Sequence, residues 1–397
     1  MCSMFYKCKE FNQQLNNWNV SNVTNMYCMF YECKEFNQSI NNWNVSNVVN
    51  MNFMFSYCYE FNQSINNWNV SNVTNMCFMF ENCKQFNQPL NNWNVSKVSH
   101  MSSMFEGCTY FNQPINNWNV SNVTNMNSMF NGCTHFNKPL NNWNVSKVID
   151  ICSMFKECTQ FNHPINDWNV SSVKYMNSMF EGCTQFNQSI NDWNVSNVKC
   201  MDSMFRNCKK FNKPLNNWDV SNNFGMMYMF YGCNNFNQPL DKWNTSKVTH
   251  MTCMFAKCNN FNQSLNNWNI SNVKHLKSML CECPNFNKKM DNWNITRIDD
   301  AFDKKYHNEC IRSIISHINN QKNKAKYMFT KILRFISIIE LYLSIKNKDY
   351  LMQNINDDQK NEIIQFLNKY VTNVCQKCYS GIELIDKDGY HLCKFCL

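Results

Sequence analysis

Four cysteines near the C-terminus have the residue type and spacing for metal chemistry. Cys375 and Cys378 form one Cys-x2-Cys pair, and after 14 intervening residues Cys393 and Cys396 form a second. Two such pairs supply four thiolates, the donors that close a tetrahedral zinc site. Between them, Ile382-Glu383-Leu384-Ile385 and Tyr390-His391-Leu392 flank Asp388-Gly389, a two-residue hairpin signal. The expectation is a zinc-ribbon-like module over 373–397 holding one structural Zn2+. With four protein ligands no coordination position stays open, so this metal is not catalytic. His391 is a weaker additional ligand candidate, and four obvious ligands are too few for a two-zinc RING. The alternatives are four unbound thiols, or two disulfides in an exported chain.

The chain that carries this module is dominated by one periodicity. Its 12 tryptophans stand at 18, 43, 68 and every 25 residues onward to 293. A period in this range marks a solenoid, propeller or array. Residues 1–300 therefore read as 12 copies of a 25-residue unit. In all 12 copies Met4, Cys8, Phe11, Asn12 and Trp18 recur as the same residue. Phe5 recurs except at Leu280, and position 15 is always Leu, Ile or Met; Val20 and Val23 lapse mainly at Thr245 and Asn223. Such apolar positions bury themselves only between neighbouring copies. Met4, Phe5 and Cys8 have the spacing of one side of a short helical turn. Phe11 to Leu15 is the expected site of a short parallel strand, ending before or bulging at the prolines of position 14, such as Pro89 and Pro114. Twelve strands stacked at about 4.8 Å would make a rod on the order of 55–60 Å long.

The remaining fixed residues read as structural. Asn12, Asn16, Asn17, Asn19 and Asn22 suit turns, where their amides can also bond the copies above and below. Calcium at these turns would need carboxylates, which appear only sporadically, as at Asp167, Asp192, Asp219 and Asp241. The Cys8 ladder, flanked by Phe and Met, reads as small buried hydrophobes. Asn-Val-Ser and its variants create 11 glycosylation sequons in 12 copies; glycans on every coil would collide, so these read as turn chemistry.

The pattern Met-x-x-Met-Phe-x-x-Cys-x-x-Phe-Asn-Gln-Pro-Leu-Asn-Asn-Trp-Asn-Val-Ser-Asn-Val-Thr-Asn resembles that of the BspA-type leucine-rich-repeat surface proteins, found in bacterial lipoproteins and in large DNA viruses. The resemblance covers residues 1–300. It implies a leucine-rich-repeat-like solenoid and, for the bacterial members, adhesion or surface display. This chain departs from them in showing no signal peptide and no lipidation cysteine. The expectation is thus the intracellular, viral branch, in a host cytoplasm.

After Ile298 the repeat stops. Apolar spacing predicts helices over roughly 303–320, 323–346 and 357–372, the last with Asp357-Asp358 at its start. The expected organisation is an α/β repeat solenoid (1–300, short parallel strands), an α-helical cap or linker (301–372) and the four-cysteine zinc module (373–397).

Charge and composition limit the function. The formal charge is +9 with 16% charged residues, of which about +4 is spread over the repeats, too dilute for a nucleic-acid footprint. No run of about 20 apolar residues could span a membrane. There is no Gly-rich phosphate loop and no His-Glu-x-x-His, so no catalytic constellation, cofactor site or small-molecule substrate is expected. Binding should use the positions that vary: 2, 3, 6, 7, 9, 10, 22, 24 and 25. Two features stand out there, a late basic stripe (Lys174, Lys199, His250, Lys274, His275, Lys277) and early tyrosines (Tyr6, Tyr31, Tyr57, Tyr59). A basic stripe over aromatic rings would suit an acidic protein face. The expected function is a non-enzymatic scaffold binding a protein partner. A ubiquitin-system substrate adaptor and a surface adhesin with a missing export signal are the alternatives.

Overall fold

The computed structural model describes residues 1–288 and 292–293, together with the backbone of 384–387 and 390–393. The chain divides into two compact units, Met1–His317 and Ile318–Leu397. In the first unit each 25-residue repeat makes one coil of a solenoid. Below, a position is numbered as in the first coil.

The first eight positions of a coil show how the stacking works. The N–H groups of Met26, Cys28, Phe30 and Glu32 donate to the carbonyls of Asn50, Asn52, Met54 and Ser56 in the next coil, at 2.8–3.0 Å. The intervening Met29, Tyr31 and Cys33 N–H groups fold back onto Met26, Cys28 and Phe30 at 3.2, 3.2 and 2.9 Å. Odd positions bond outward and even positions close β-turns. This replaces the expected helical turn at Met4, Phe5 and Cys8. A helix would turn its N–H groups along its own axis, whereas here every second one reaches a neighbour. The alternation requires positive φ at positions 3 and 7, as at Cys28 (52°) and Glu32 (58°). Positive φ at the third residue of a hydrogen-bonded turn is the type II signature. All 12 coils adopt it, mostly with side chains other than glycine, such as Phe53, Tyr57 and Ser128. Each non-glycine residue there costs roughly 1–2 kcal/mol, offset by the inter-coil bonds it makes possible.

The parallel strand pairing also lies elsewhere than expected. It occurs at the coil junction, as single parallel bridges Asn25↔Asn50, Asn50↔Asn75 and so on to His250↔His275. Position 24 carries its own ladder there, for example Val49 N–H to Thr24 O at 2.8 Å. The Phe11–Leu15 segment is instead held by a side chain. The Asn12 amide oxygen accepts the Asn37 N–H and the Gln38 side-chain amide, both at 3.0 Å. Supplying the acceptor from a side chain leaves position 14 free of the ladder and tolerant of proline.

The core is the predicted apolar set joined by the methionine of position 1. Met, Met, Phe, Cys, Phe, Leu or Ile, Trp, Val and Val of the internal coils are almost fully buried. Phe30 stacks on Phe36 within its coil at 4.2 Å and on Phe55 in the next at 5.6 Å. Trp43 and Trp68 lie 3° from parallel at 6.4 Å. The fixed tryptophan also carries a bond: Trp43 Nε1 donates to Leu15 O at 3.0 Å, and the same link recurs to Trp293 and Leu265 at 2.9 Å. The amide ladders are present too. Asn19 Oδ1 accepts the Ser21 N–H at 3.1 Å, and Asn47 Nδ2 reaches back to Ser21 O at 2.8 Å.

In the second unit, β1 (Leu384–Lys387) pairs antiparallel with β2 (Tyr390–Cys393), Lys387 opposite Tyr390 and Leu384 opposite Cys393. These are the two arms expected around Asp388-Gly389. The expected helices over 303–372 lie outside the described residues, and the α part of the α/β solenoid reading is the helical turn that the linked turns replace.

Trp143→Phe keeps the ring but leaves the buried Ile115 carbonyl without its 3.0 Å donor; it should cost about 1–3 kcal/mol. Trp143→Ala should cost about 3–5 kcal/mol. Urea unfolding followed by circular dichroism checks both, and an unchanged stability in Trp143→Phe would show that the indole bond contributes nothing.

Candidate interaction surface

Because the fixed residues face inward, recognition falls to rows of variable residues, each row being one position read down successive coils. Four such features can be built from the residues upward.

The first is an aromatic strip at positions 2, 3, 6, 7 and 9 of the early coils. Tyr6 stacks on Tyr31 at 5.0 Å and Phe53 on Phe78 at 4.4 Å, while Tyr31 meets Phe53 and Tyr57 edge-on at 6.1 and 5.9 Å. Tyr59 lies between Lys34 and Lys84, at 5.2 and 4.8 Å from its ring. The tyrosines were legible from the sequence; Phe53 and Phe78 were missed, although reading position 3 down the copies would have found them. Glu81 accepts Ser56 Oγ at 2.7 Å, and burial raises its carboxyl above the ordinary range. Its charge is the leading cause of the raised Tyr57 hydroxyl.

Further along position 6 lies a charge ladder. Glu181, largely buried, pairs with Lys156 at 3.2 Å and Arg206 at 3.6 Å. The Arg206 guanidinium stands over Tyr228 and Tyr231 at 5.2 and 5.3 Å. Its charges are matched from coil to coil, as a structural ladder requires. On coils 9–12 an open groove is lined by asparagines of positions 10 and 12, from Asn212 to Asn287.

The fourth feature is the coil junction, positions 24 and 25. Ile149, Tyr175 and Phe224 are exposed there at 41%, 42% and 46%. The basic stripe lies in the same row: Lys174 and Lys274 are exposed and Lys199 partly so. His250 and His275 stack at 4.6 Å. The stripe occupies coils 7–12, while the expected tyrosine partners sit in coils 1–3, so the structure does not bring the two together. Each coil bonds only its neighbours, and at least three coils intervene. The aromatic residues that do accompany the stripe are Tyr175 and Phe224.

The end of coil 9 breaks the repeat. Asn223 takes a Val position, is fully buried, and neither side-chain amide atom finds a hydrogen-bond partner. An unsatisfied buried polar group costs about 1–3 kcal/mol. The next residue, Phe224, is apolar and exposed, an inversion of inside and outside.

The cysteine ladder has a purely structural geometry. Cys58 Sγ donates to Phe30 O at 3.0 Å, and each later ladder thiol bonds the position-5 carbonyl of the preceding coil in the same way. Burial pushes the Cys33 and Cys283 thiols up to about 12, and those of Cys58 to Cys208 well above their ordinary value. No disulfide joins any of the nineteen cysteines among the described residues. Of the predicted zinc ligands, Cys375, Cys378 and Cys396 lie outside the described residues. For Cys393 only the backbone is described, at the end of β2. Among the described residues no three His, Cys, Asp or Glu side chains are grouped to hold a metal, and no helix is long and apolar enough to cross a membrane.

Coil-to-coil hydrogen bonds, a stacked core and a variable outer surface define a tandem-repeat solenoid of the leucine-rich-repeat kind. The chain belongs to the family described as "Mycoplasma protein of unknown function, DUF285", whose model matches residues 1–114, 55–154, 78–182, 136–231 and 204–318. This is the BspA-type repeat family that the motif resembles. No curated protein matches the sequence. Among solved structures, the chain is similar to the leucine-rich-repeat protein of T. pallidum (13% identity, 53% of this chain, 76% of that chain, TM-score 0.25). It is also similar to a leucine-rich cell surface protein of Faecalibacterium prausnitzii A2-165 (14% identity, 61% and 76%, TM-score 0.33).

The raised thiol values carry a direct consequence. At pH 8 the ladder thiols, raised by burial well above their ordinary value, stay protonated and unreactive. A maleimide pulse on the native protein, read by peptide mass mapping, should label the exposed Cys2 and Cys8 within minutes and the ladder cysteines from Cys58 to Cys258 only after unfolding.

Proposed function

We propose that the chain is a non-enzymatic interaction scaffold whose repeat array binds a protein partner, and whose C-terminal module is stabilised by a structural zinc ion. The observation that carries the reading is the division of labour within the repeat. The positions identical in all copies are taken up by the core and the inter-coil bonds, while exposed aromatic side chains collect on a few outer rows. Exposed aromatic surface is the composition of interface hot spots. An intracellular setting fits nineteen described cysteines that form no disulfide.

For the zinc, the support is the sequence spacing together with the β1–β2 hairpin, which sets Cys393 at the end of its second strand. Cys375, Cys378, Cys393 and Cys396 would hold the metal, whose role is to lock the tail's fold.

The scaffold reading is tested by affinity capture from cells of the source organism, with the full chain as bait beside two surface variants. One carries Tyr31→Ser and Phe53→Ser, the other Lys174→Thr and Lys199→Thr. Proteins retained by the wild type and lost with either variant, at unchanged melting temperature, support it; a retained set insensitive to both variants would remove it. For the metal, all 12 tryptophans lie within residues 1–293, so indole fluorescence reports the array alone. The purified chain should contain one equivalent of zinc. A strong chelator should remove it and change the far-ultraviolet spectrum while indole emission stays constant. A metal-free chain whose spectrum ignores both zinc and chelator would refute the zinc assignment.

A further inference from the structure

The coil junction from Ile149 to Phe224 is ordered as one hydrogen-bonded row. Lys174 N–H donates to Ile149 O at 2.8 Å, Lys199 N–H to Lys174 O at 2.8 Å, and Phe224 N–H to Lys199 O at 2.9 Å. The four side chains therefore follow one another coil by coil in the order apolar, cationic, cationic, apolar. Three features of this stretch run against stability. Lys174 and Lys199 are stacked directly, and like charges directly opposite each other in a ladder are unfavourable. Among the described residues, the ion pairs lie at positions 6 and 7, away from these lysines. The side-chain cap of position 25 is also given up here. In coils 1–3 and 5–6 an Asn or Asp oxygen accepts the N–H two residues on, as Asn125 does for Asn127 and Asp150 for Cys152, both at 2.9 Å. Tyr175, Cys200 and Gly225 then replace it in succession. At the row's far end stands the inverted pair, buried unpartnered Asn223 and exposed Phe224. At Gly225 the Met227 N–H is capped instead by Asp202 Oδ1 of the preceding coil at 2.7 Å. Local rules broken together mark a functional stretch.

We propose that the row Ile149, Lys174, Lys199, Phe224 is the docking site for an extended acidic segment of a partner protein, of the form apolar-x-(Asp/Glu)-x-apolar. The proposal rests on the scaffold reading and names the partner chemistry of one of its faces. Charge and spacing select the occupant. Stacked coils advance about 4.8 Å each, so Ile149 and Phe224 lie about 14 Å apart, with the lysines at about 5 and 10 Å. An extended peptide presents every second side chain to one face, about 6.8 Å apart. Its residues i and i+4 then meet Ile149 and Phe224, and the carboxylate at i+2 falls between the two ammonium groups. A nucleic-acid strand fits less well: two lysines neutralise few phosphates, and Ile149 offers no ring for a base to stack on.

Fluorescence anisotropy with the full chain tests this. The probe is a labelled nine-residue peptide with leucines four apart and glutamate midway, in a Gly/Ser context. Controls replace glutamate by glutamine or both leucines by serine, and a 12-nucleotide oligo-dT is the competing class. The peptide should bind saturably, each control at least about tenfold more weakly, with affinity falling as salt rises. Lys174→Thr/Lys199→Thr installs the residue that positions 124 and 249 already carry, and should weaken binding at least about tenfold at unchanged or higher melting temperature. Asn223→Val/Phe224→Thr restores the regular repeat and should raise the melting temperature while also weakening binding. Absence of saturable peptide binding, affinities within about twofold in both variants, or preferential binding of oligo-dT would each overturn the proposal. Partners captured through the aromatic strip would then still support the scaffold reading, whereas capture insensitive to every outer row would remove both.

Discussion

Every coil of this solenoid is completed by its neighbour, and that constraint governs which residues can occur where. The N–H groups of positions 1, 3, 5 and 7 find acceptors 24 residues on. The Asn12 amide takes a donor from 25 residues on, and the indole and thiol of each coil reach 28 residues back, as Trp118 does to Leu90 O and Cys108 to Phe80 O at 3.0 and 2.9 Å. A group that serves a neighbouring coil in this way must be repeated, because the next coil needs the same partner. This explains why polar Asn12 is as fixed as apolar Phe11. It also accounts for the choice of Trp and Cys over other core residues: each joins an apolar body to one donor, so that packing and a buried carbonyl are satisfied together.

Much of this was legible because translation repeats its evidence. The period, the buried set and the amide ladders could all be read by laying copies side by side. The local backbone could not. Met4, Phe5 and Cys8 fall at i, i+1 and i+4 on a helix, yet three linked turns place the same residues on one side. Nothing in a Phe53 or a Glu32 announces positive φ; only Gly107, Gly132, Gly182 and Gly232 at position 7 hinted at it. The fixed Phe11–Leu15 segment suggests the parallel pairing, but backbone pairing does not need identical side chains. It lies at the junction, where side chains vary and threonine recurs at position 24, with valine and isoleucine once each. The zinc cysteines are legible only as spacing, with the β1–β2 register as their structural counterpart.

The same translation turns the outer surface into rows whose composition can be chosen one coil at a time. Position 6 shows a row balanced within itself: Lys156, Glu181 and Arg206 alternate in sign, and the buried carboxylate has a cation on either side. The junction row is the opposite case. Lys174 follows directly on Ile149 and precedes another lysine, so its attraction is directed outward. Two rows built on one backbone ladder thus differ in whether their charges are matched internally or left for a partner.

The inversion at Asn223 and Phe224 shows why such departures are tolerable in a repeat array. In a compact single-core domain, an unsatisfied buried amide of about 1–3 kcal/mol would remove a large part of the net stability. In a solenoid the loss is local, since stability is approximately a sum of coil terms and nearest-neighbour interfaces. Coil 9 keeps its indole links to both neighbours: Trp218 still bonds Ile190 O and Trp243 still bonds Leu215 O, both at 2.9 Å. The indole links and the junction ladder carry the stack across the defect while the junction side chains depart from the repeat. Departures of this kind are best tolerated in interior coils, where two interfaces share the strain. A terminal coil has one interface to hold it, and the same inversion there would fray the end of the array.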